Sequence, residues 1–259
     1  MPAIKHLLAV PVWAAGPEMI EWLLRGIAEN LEPDRVQIVF YFDGNRADSL
    51  AAFDGLAGAI LAGFVWHRFG SDQEIRDPGC HDWFIDYFVQ NTDAGTLIVS
   101  QDDIRFQTSF VPHLDRVLAE LVERVGYIGM REGFGLGYAG MIASPFDAPY
   151  AGPGKVRELA PGSWETCLMV NPGPLVYPRS TVAKVGKLDR AYRDWHWWCD
   201  YALRAHQAGL VNVILSIDAL HKKFGGVRAG VVAADAEGWE PKDRALLNQK
   251  WSPQFGRIV

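Results

Sequence analysis

Two adjacent carboxylates, Asp102 and Asp103, directly follow the apolar run "TLIVSQ", which has the length of a buried strand. Side by side the two charges repel, and each costs free energy to remove from water unless a positive group lies nearby. Carboxylate oxygens suit Mg²⁺ or Mn²⁺, and proteins typically hold such ions with few carboxylates plus the phosphates of a substrate. The pair therefore predicts a divalent cation that carries a phosphate-bearing ligand. A solvated loop after the strand is the alternative.

His221 is a second candidate ligand for that cation. It lies shortly after the apolar run "VNVILSI", and Lys222 and Lys223 come directly after it. The two lysines indicate an anion nearby, and an imidazole that joins a carboxylate favours Mn²⁺ over Mg²⁺. A purely structural histidine is the alternative.

Tryptophans are numerous in this chain, which has ten of them. Trp195, Trp197 and Trp198 cluster in "DWHWWCD", and Trp164 stands in a region rich in glycine and proline. Flat aromatic faces suit sugar rings, so some of these residues could line a sugar-binding site. Core packing is the alternative, and it is the one we expect for Trp22 on the first helix.

Other familiar motifs are weak. The run "GLGYAG" at 135–140 matches a dinucleotide-binding glycine pattern, but Pro145 and Pro149 follow where that pattern needs a helix. No Ser-His-Asp order or Cys-His pairing indicates a catalytic nucleophile. We therefore interpret "GLGYAG" as a loop.

Strands alternate with helices through the first half of the chain. Apolar runs of strand length are separated by segments with a 3.6-residue stripe, the first being "HLLAVPV" before "PEMIEWLLRGIAENL". This alternation predicts an α/β fold with a mostly parallel central sheet flanked by helices. Ligands of such sheets bind beyond the carboxyl ends of the strands. Asp43, which closes the second strand, and the pair Asp102 and Asp103 should therefore face one cleft.

Beyond residue 130 the pattern is less regular. Residues 131–174 are rich in glycine and proline, which indicates a binding loop or a disordered segment. Helical periodicity returns in "PRSTVAKVG" and "WWCDYALRAHQAG", and the tail beyond 226 has no pattern that we can assign.

Bulk composition excludes several classes of protein. The 259 residues are enough for one large domain, with 49% hydrophobic and 22% charged residues. A formal net charge of −6 argues against a nucleic-acid partner. Three cysteines at no metal-like spacing fit a reducing compartment, and no apolar run reaches the length of a membrane span. We expect a cytoplasmic protein, and we interpret "LLAVPVWAA" as a first strand rather than a signal peptide.

Taken in order, these segments resemble the GT-A-fold glycosyltransferases, most closely the inverting glycosyltransferase family 2, over about residues 6–225. The run "LLAVPVW" is similar to the family's first strand, with Pro11 at its usual place. The run "IVFYFDGNRADS" resembles "vvDDGStD", so that Asp43 matches the acid that contacts the nucleobase, and Phe42 replaces the acid before it. Arg76 lies where relatives place a basic residue that touches the nucleotide.

The acid pair and the second half of the chain continue the resemblance. "AGTLIVSQDDI" resembles "GeyilflDdDd", which implies that Asp103 binds the metal and that Asp102 contacts the ribose or a second metal. His221 matches the histidine that completes the metal site in many GT-A enzymes. The acid pair that normally supplies the catalytic base instead falls on Trp197 and Trp198.

Two acids could replace that missing pair. Asp200 lies two residues later and keeps the family's spacing to Arg204, although that arginine could simply neutralise it. Asp194 is the alternative base. A third possibility is that no base exists there, as in a retaining enzyme or an inactive homologue.

The resemblance implies a metal-dependent, inverting glycosyltransferase. It would move a sugar from a nucleoside diphosphate donor, a UDP-sugar above all, to a hydroxyl of an unknown acceptor, with Mn²⁺ or Mg²⁺ and Lys222 stabilising the leaving diphosphate. A single domain would consist of a nucleotide half (about 1–125), an acceptor half (about 126–225) and a tail (226–259) that could close as a lid. The alternatives are a sugar nucleotidyltransferase and a non-catalytic nucleotide-sugar-binding homologue.

Overall fold

A computed structural model describes residues 5–13, 15–44, 46–131, 159–168, 173–193, 195–222 and 238–255. Its strands form one eight-stranded sheet and one two-stranded sheet. They are β1 (His6–Val12), β2 (Val36–Asp43), β3 (Trp66–Ser71), β4 (Thr96–Val99), β5 (Ile104–Phe106), β6 (Val125–Arg131), β7 (Trp164–Cys167), β8 (Leu175–Pro178), β9 (Val211–Ser216) and β10 (Ala219–His221).

Helices lie on both faces of the larger sheet. They are α1 (Pro17–Asn30), α2 (Ala47–Ile60), α3 (Arg76–Asn91), α4 (Val111–Leu121), α5 (Arg179–Val185), α6 (Trp197–Gln207) and α7 (Glu240–Phe255), with a 3₁₀ turn at Val122–Arg124. None of the helices in the described ranges is long and apolar enough to cross a membrane.

The larger sheet has the strand order β3-β2-β1-β4-β8-β6-β9-β7. Strands β3, β2, β1 and β4 are parallel neighbours, and β6 is parallel to β9. Strand β8 is antiparallel to both β4 and β6, and β7 is antiparallel to β9. The predicted α/β fold with a mostly parallel, helix-flanked sheet is confirmed.

Strand β1 shows why the first runs of the sequence are continuously apolar. Leu7 and Ala9 belong to the hydrophobic core on one face of the sheet, and Leu8 and Val10 belong to the core on the other face. Successive side chains of a strand point to opposite faces, so a strand covered by helices on both sides needs apolar residues throughout. Helices α1 and α2 contribute to the second core, whereas α3, α6 and α7 contribute to the first.

Five elements were missing from the sequence interpretation: the strands β5, β7, β8 and β10, and the helix α7. Strand β7 lies inside the region expected to be loop, and α7 occupies much of the unassigned tail. Only Asp243, Leu247 and Trp251 of α7 are buried, a narrow stripe spaced every four residues. Of the tail expected to close as a lid (226–259), residues 226–237 and 256–259 lie outside the described residues, and α7 occupies most of the remainder.

Candidate functional site

The chain that follows β4 carries the acid pair to the end of β1. The backbone N–H of Ser100 donates to the carbonyl of Ala9 at 2.9 Å, which is the last contact before the chain leaves the sheet. Asp102 is fully buried, and its Oδ2 accepts a 2.7 Å hydrogen bond from the backbone N–H of Trp13, just past β1. The backbone of one strand end thus fixes the first carboxylate of the pair.

The second carboxylate faces the predicted histidine. Strands β5 and β10 pair antiparallel, with Ile104 opposite His221. This pairing brings Nε2 of His221 to 3.3 Å from Oδ1 of Asp103, and both side chains are 8% exposed. The backbone N–H of Lys222 donates to the carbonyl of Asp103 at 2.9 Å, which fixes the register beside the pair. Two residues far apart in sequence therefore form one candidate site.

Asp103 and His221 are suited to hold a divalent ion together. Two neighbouring ligands of an octahedral ion with bonds of about 2.1 Å lie about 3 Å apart, close to the separation of Oδ1 and Nε2. Among the described residues no cluster of three or more His, Cys, Asp or Glu side chains could hold a metal ion. The pair therefore fits an ion whose remaining ligands come from substrate phosphates and water.

Asp43 lies at the end of β2, as predicted, and it shapes the loop beside it. Its Oδ1 accepts from the backbone N–H of Ile75 at 2.7 Å, and its Oδ2 accepts from that of Arg76 at 2.9 Å. Arg76 has φ +60°, a left-handed conformation that is uncommon for a non-glycine residue. Burial raises the pKa of Asp43, although these two hydrogen bonds oppose the rise. Asp43 thus fixes the start of α3.

Three other residues of the predicted donor side have clear positions. Pro11 is buried in β1 opposite Tyr41 of β2. The ammonium of Lys222 lies 4.9 Å from the centroid of the Trp22 ring, so this lysine is held over α1. Phe42, which replaces an acid of the resembled family, is buried and packs against Phe53 at 5.2 Å. Phe42 therefore belongs to the core.

Asp200, the predicted catalytic base, is fully buried and surrounded by donors. Its Oδ2 accepts from Nε of Arg204 at 2.9 Å. Its Oδ1 accepts from Nε1 of Trp251 at 2.9 Å and lies 2.7 Å from Nζ of Lys250. Both oxygens are therefore engaged by protein groups, and the geometry favours the ion-pair interpretation over the base. The other candidate, Asp194, lies outside the described residues.

The tryptophans after Asp194 are core residues rather than an open stacking surface. Trp197 and Trp198 are 2% and 3% exposed, and their rings contact each other at 5.5 Å. The ring of Trp197 also lies 4.4 Å from that of His81 in α3. The burial of Trp197 and Trp198 agrees with the core-packing alternative. Trp195 and Trp164 are half-buried.

Helix α7 contributes polar contacts that sequence reasoning missed. The carboxylate of Asp243 accepts from the backbone N–H of Trp195 at 2.8 Å. Glu240 Oε1 lies 2.9 Å from Nε2 of His196, the residue before α6, which has φ +61°. In the sequence, the contacts of Glu240 and Asp243 are indicated only by a spacing of three to four residues, which places Glu240, Asp243, Leu247 and Trp251 on one face of a helix.

Neither a protein-family model nor a curated protein matches the sequence. Solved structures do match. The mannosyltransferase PcManGT from Pyrobaculum calidifontis, solved with GDP-Man and Mn²⁺, has a TM-score of 0.62 at 10% identity, over 95% of this chain and 64% of that one. GalNAc-T7, solved with UDP, GalNAc and Mn²⁺, has a TM-score of 0.65 at 11% identity, over 99% and 53%. TarS from S. aureus has a TM-score of 0.58 at 11% identity, over 98% and 44%.

This chain spans between 44% and 64% of the length of those three chains. At such low identity the likeness establishes architecture, and it agrees with the strand order and the helix-flanked sheet described above. The chain has the GT-A fold.

Proposed function

We propose that the protein is a glycosyltransferase that uses a nucleoside diphosphate sugar, a UDP-sugar above all, and a divalent metal, Mn²⁺ or Mg²⁺. The observation that carries the proposal is the 3.3 Å approach of Asp103 and His221 beyond the end of β4. A carboxylate and an imidazole in this arrangement suit an ion that also binds a diphosphate. PcManGT and GalNAc-T7, which share the fold, were each solved with Mn²⁺ and a nucleotide or nucleotide sugar.

The donor side of the site would be built from strand ends. Asp43 would accept a hydrogen bond from the nucleobase, through lone pairs that Ile75 and Arg76 leave available on its two oxygens. Asp102, held by the backbone of Trp13, would contact the ribose. Lys222 would add positive charge near the diphosphate, with Trp22 holding its side chain.

The chemistry would be substitution at the anomeric carbon. A bound metal ion would stabilise the negative charge that develops on the leaving diphosphate. Asp103 and His221 would hold the ion beside the leaving oxygens. The pairing of β5 with β10 fixes the backbone next to both residues. An acceptor hydroxyl, attacking from the other side, needs a base to take its proton. We do not assign this role to Asp200, because Arg204, Trp251 and Lys250 already engage its two oxygens.

Binding and turnover test this proposal separately. Thermal shift with UDP, GDP and their sugars, each with and without Mn²⁺, should show a rise in Tm that requires both nucleotide and metal, because ligands that bind only the folded state stabilise it. Release of UDP or GDP from the same sugars should then depend on Mn²⁺. No metal-dependent binding by any nucleotide would contradict the proposal.

A non-catalytic nucleotide-sugar-binding protein is the second candidate. The burial of Trp197 and Trp198 at the places of the family's acid pair favours it, as does the engagement of both oxygens of Asp200. The two candidates differ in one measurement. A binding protein should show the metal-dependent rise in Tm but no release of nucleoside diphosphate.

A further inference from the structure

Three consecutive residues at the start of α6 have buried side-chain polar atoms without a hydrogen-bond partner. They are Nε1 of Trp195, Nδ1 of His196 and Nε1 of Trp197, and this holds within the described part of the chain. Most buried polar atoms in proteins are paired, and an exception needs an explanation. Hydroxyl groups of a bound ligand would satisfy all three atoms, since a hydroxyl both donates and accepts.

His196 has a second ring nitrogen, Nε2, and this nitrogen contacts a carboxylate. Nε2 lies 2.9 Å from Oε1 of Glu240, and His196 is 4% exposed. Burial alone would raise the pKa of Glu240, but hydrogen bonds from His196 and Arg244 outweigh it and hold the pKa below its ordinary value. An ionised Glu240 accepts a hydrogen bond from Nε2–H, so the proton stays on Nε2 and the lone pair of the imidazole is on Nδ1. That tautomer is the one a general base needs.

The charge state of His196 also suits a base. Burial lowers its pKa below the ordinary value, while Glu240 opposes this through its hydrogen bond and its charge. Of the other charged groups around the ring, Arg244 lowers the pKa and Asp243 raises it. The imidazole is therefore neutral near pH 7 and can accept a proton.

The start of α6 also contacts α3, the helix whose first residue, Arg76, donates its backbone N–H to Asp43. The ring of Trp197 lies 4.4 Å from that of His81. The neighbour of His81 in α3, Cys80, hydrogen-bonds through its thiol to Asp43. Helix α3 thus connects the start of α6 with the strand end at which we place the donor.

We propose that His196, oriented by Glu240, is the general base that takes the proton of the acceptor hydroxyl. The inference rests on the proposed function. The hydroxyl oxygen bonds to the anomeric carbon, its proton passes to Nδ1, and the bond from the anomeric carbon to the diphosphate breaks with both electrons leaving on the nucleoside diphosphate. Glu240 stabilises the imidazolium, and the indole N–H groups of Trp195 and Trp197 donate to acceptor oxygens.

Hydrolysis of the donor tests the base without a known acceptor, because water must also lose a proton when it attacks. The probes are UDP- and GDP-sugars with Mn²⁺, and the readout is release of UDP or GDP. His196→Gln should lower turnover about 10²-fold or more, with donor affinity unchanged. Glu240→Gln should lower it about 10–100-fold, as is usual for a residue that orients another. His206→Gln, at the far end of the same helix, is the matched control and should leave turnover unchanged.

Azide separates loss of a base from damage to the fold. Azide attacks as an anion with no proton to lose, so it should restore nucleotide release by His196→Gln and yield a glycosyl azide. A second readout does not depend on turnover: nitrogen NMR of the wild type should show the proton of His196 on Nε2, and Glu240→Gln should disturb this preference. Glu240→Gln should also move the acidic limb of the pH–rate profile to lower pH, because loss of the negative charge lowers the pKa of His196.

The two proposals fail in different ways. A wild type that releases nothing from any donor overturns the proposed function and the base with it. A wild type that turns over, together with a fully active His196→Gln variant, overturns the base alone. If His196→Gln lowered nucleotide release equally with water and with azide, the general-base assignment would also be overturned. The substitution would then have impaired more than proton transfer.

Discussion

Nε1 of Trp251 donates a 2.9 Å hydrogen bond to Oδ1 of Asp200, across 51 positions of sequence. Nζ of Lys250 lies 2.7 Å from the same oxygen, and Arg204 engages the other. These contacts fasten α7 to α6. Asp200, which has the sequence spacing of a catalytic base, is therefore the centre of an ion-pair network.

Substitutions in this network should reduce stability. Asp200→Asn should lower the free energy of unfolding by about 1.5–3 kcal/mol, because Arg204 and Lys250 would lose their buried counter-charge while Lys250 keeps Asp189. Trp251→Phe should cost about 0.5–1.5 kcal/mol, since Oδ1 of Asp200 loses one hydrogen bond but keeps Lys250. Urea denaturation measures both. The control is Asp86→Asn, which breaks an exposed ion pair with Lys187 and should cost at most about 1 kcal/mol.

The same variant decides the role of Asp200 in turnover. At a temperature where Asp200→Asn stays folded, donor hydrolysis should remain within a few-fold of the wild type. A loss of about 10²-fold without a loss of stability would instead support the general base predicted from sequence.

If Asp103 and His221 bind the metal ion, replacing either residue should remove metal-dependent nucleotide binding. Asp103→Ala and His221→Ala should each abolish the part of UDP or GDP affinity that requires Mn²⁺, because each removes one of the two protein ligands that we assign to the ion. Isothermal titration calorimetry with and without Mn²⁺ measures this. Asp86→Ala, an exposed acid away from the strand ends, should bind as the wild type does. Unchanged affinity in both site variants would exclude the metal assignment.

Asp43→Ala should weaken nucleotide binding by about 1–3 kcal/mol, the usual loss for a charged hydrogen-bond partner. The substitution also removes the acceptor of two backbone N–H groups, those of Ile75 and Arg76. We therefore expect faster hydrogen exchange at these two amides. Calorimetry with UDP checks the affinity, and a fall in Tm without a fall in affinity would limit Asp43 to a structural role.

Stability should fall as the pH drops below about 6.5, in part because of His81. Burial lowers the pKa of His81 to about 3, so the unfolded chain binds a proton between these values while the folded protein does not. The free energy of unfolding should therefore decrease by up to about 1.4 kcal/mol per pH unit from this group across that window.

His81→Gln should make this pH dependence shallower when urea unfolding is compared between pH 6.5 and 4. Tyr177→Phe is the control, because it removes the hydroxyl that lies 2.7 Å from Nδ1 of His81 but keeps the imidazole. Tyr177→Phe should lower the free energy of unfolding at all pH values and leave its dependence on pH unchanged. An unchanged slope in His81→Gln would contradict the prediction.

The positions of Asp43, Asp102 and Asp103 could be predicted because they depend on strand ends. The apolar run before Asp102 and Asp103 had to be a buried strand, and parallel strands bring their carboxyl ends to one edge. Asp43 follows by the same rule from the run before it. His221 was a candidate ligand from the lysines that follow it and from the resemblance, but no local pattern shows its approach to Asp103, because the antiparallel pairing of β5 with β10 leaves no periodic signal in strands this short.

The surroundings of Asp200 could not be predicted in the same way. The environment of Asp200 depends on Lys250 and Trp251, which belong to a helix with a narrow apolar stripe and a proline near its end. Hydrogen bonds between such distant segments have no local pattern in sequence. The spacing of Asp200 to Arg204 indicated an ion pair one helical turn apart, and this alternative agrees with the structure.

The attachment of α7 has a consequence for the order in which the chain can fold during synthesis. Domains form from the N-terminal side as the ribosome releases them, and the strands that carry Asp43, Asp102 and Asp103 all precede α7. Those strands can pair before α7 emerges. Until it does, Asp200 lacks Lys250 and Trp251, and His196 lacks Glu240. The ribosome therefore releases the strands that carry Asp43 and the acid pair before it releases the residues that hold Asp200 and His196 in place.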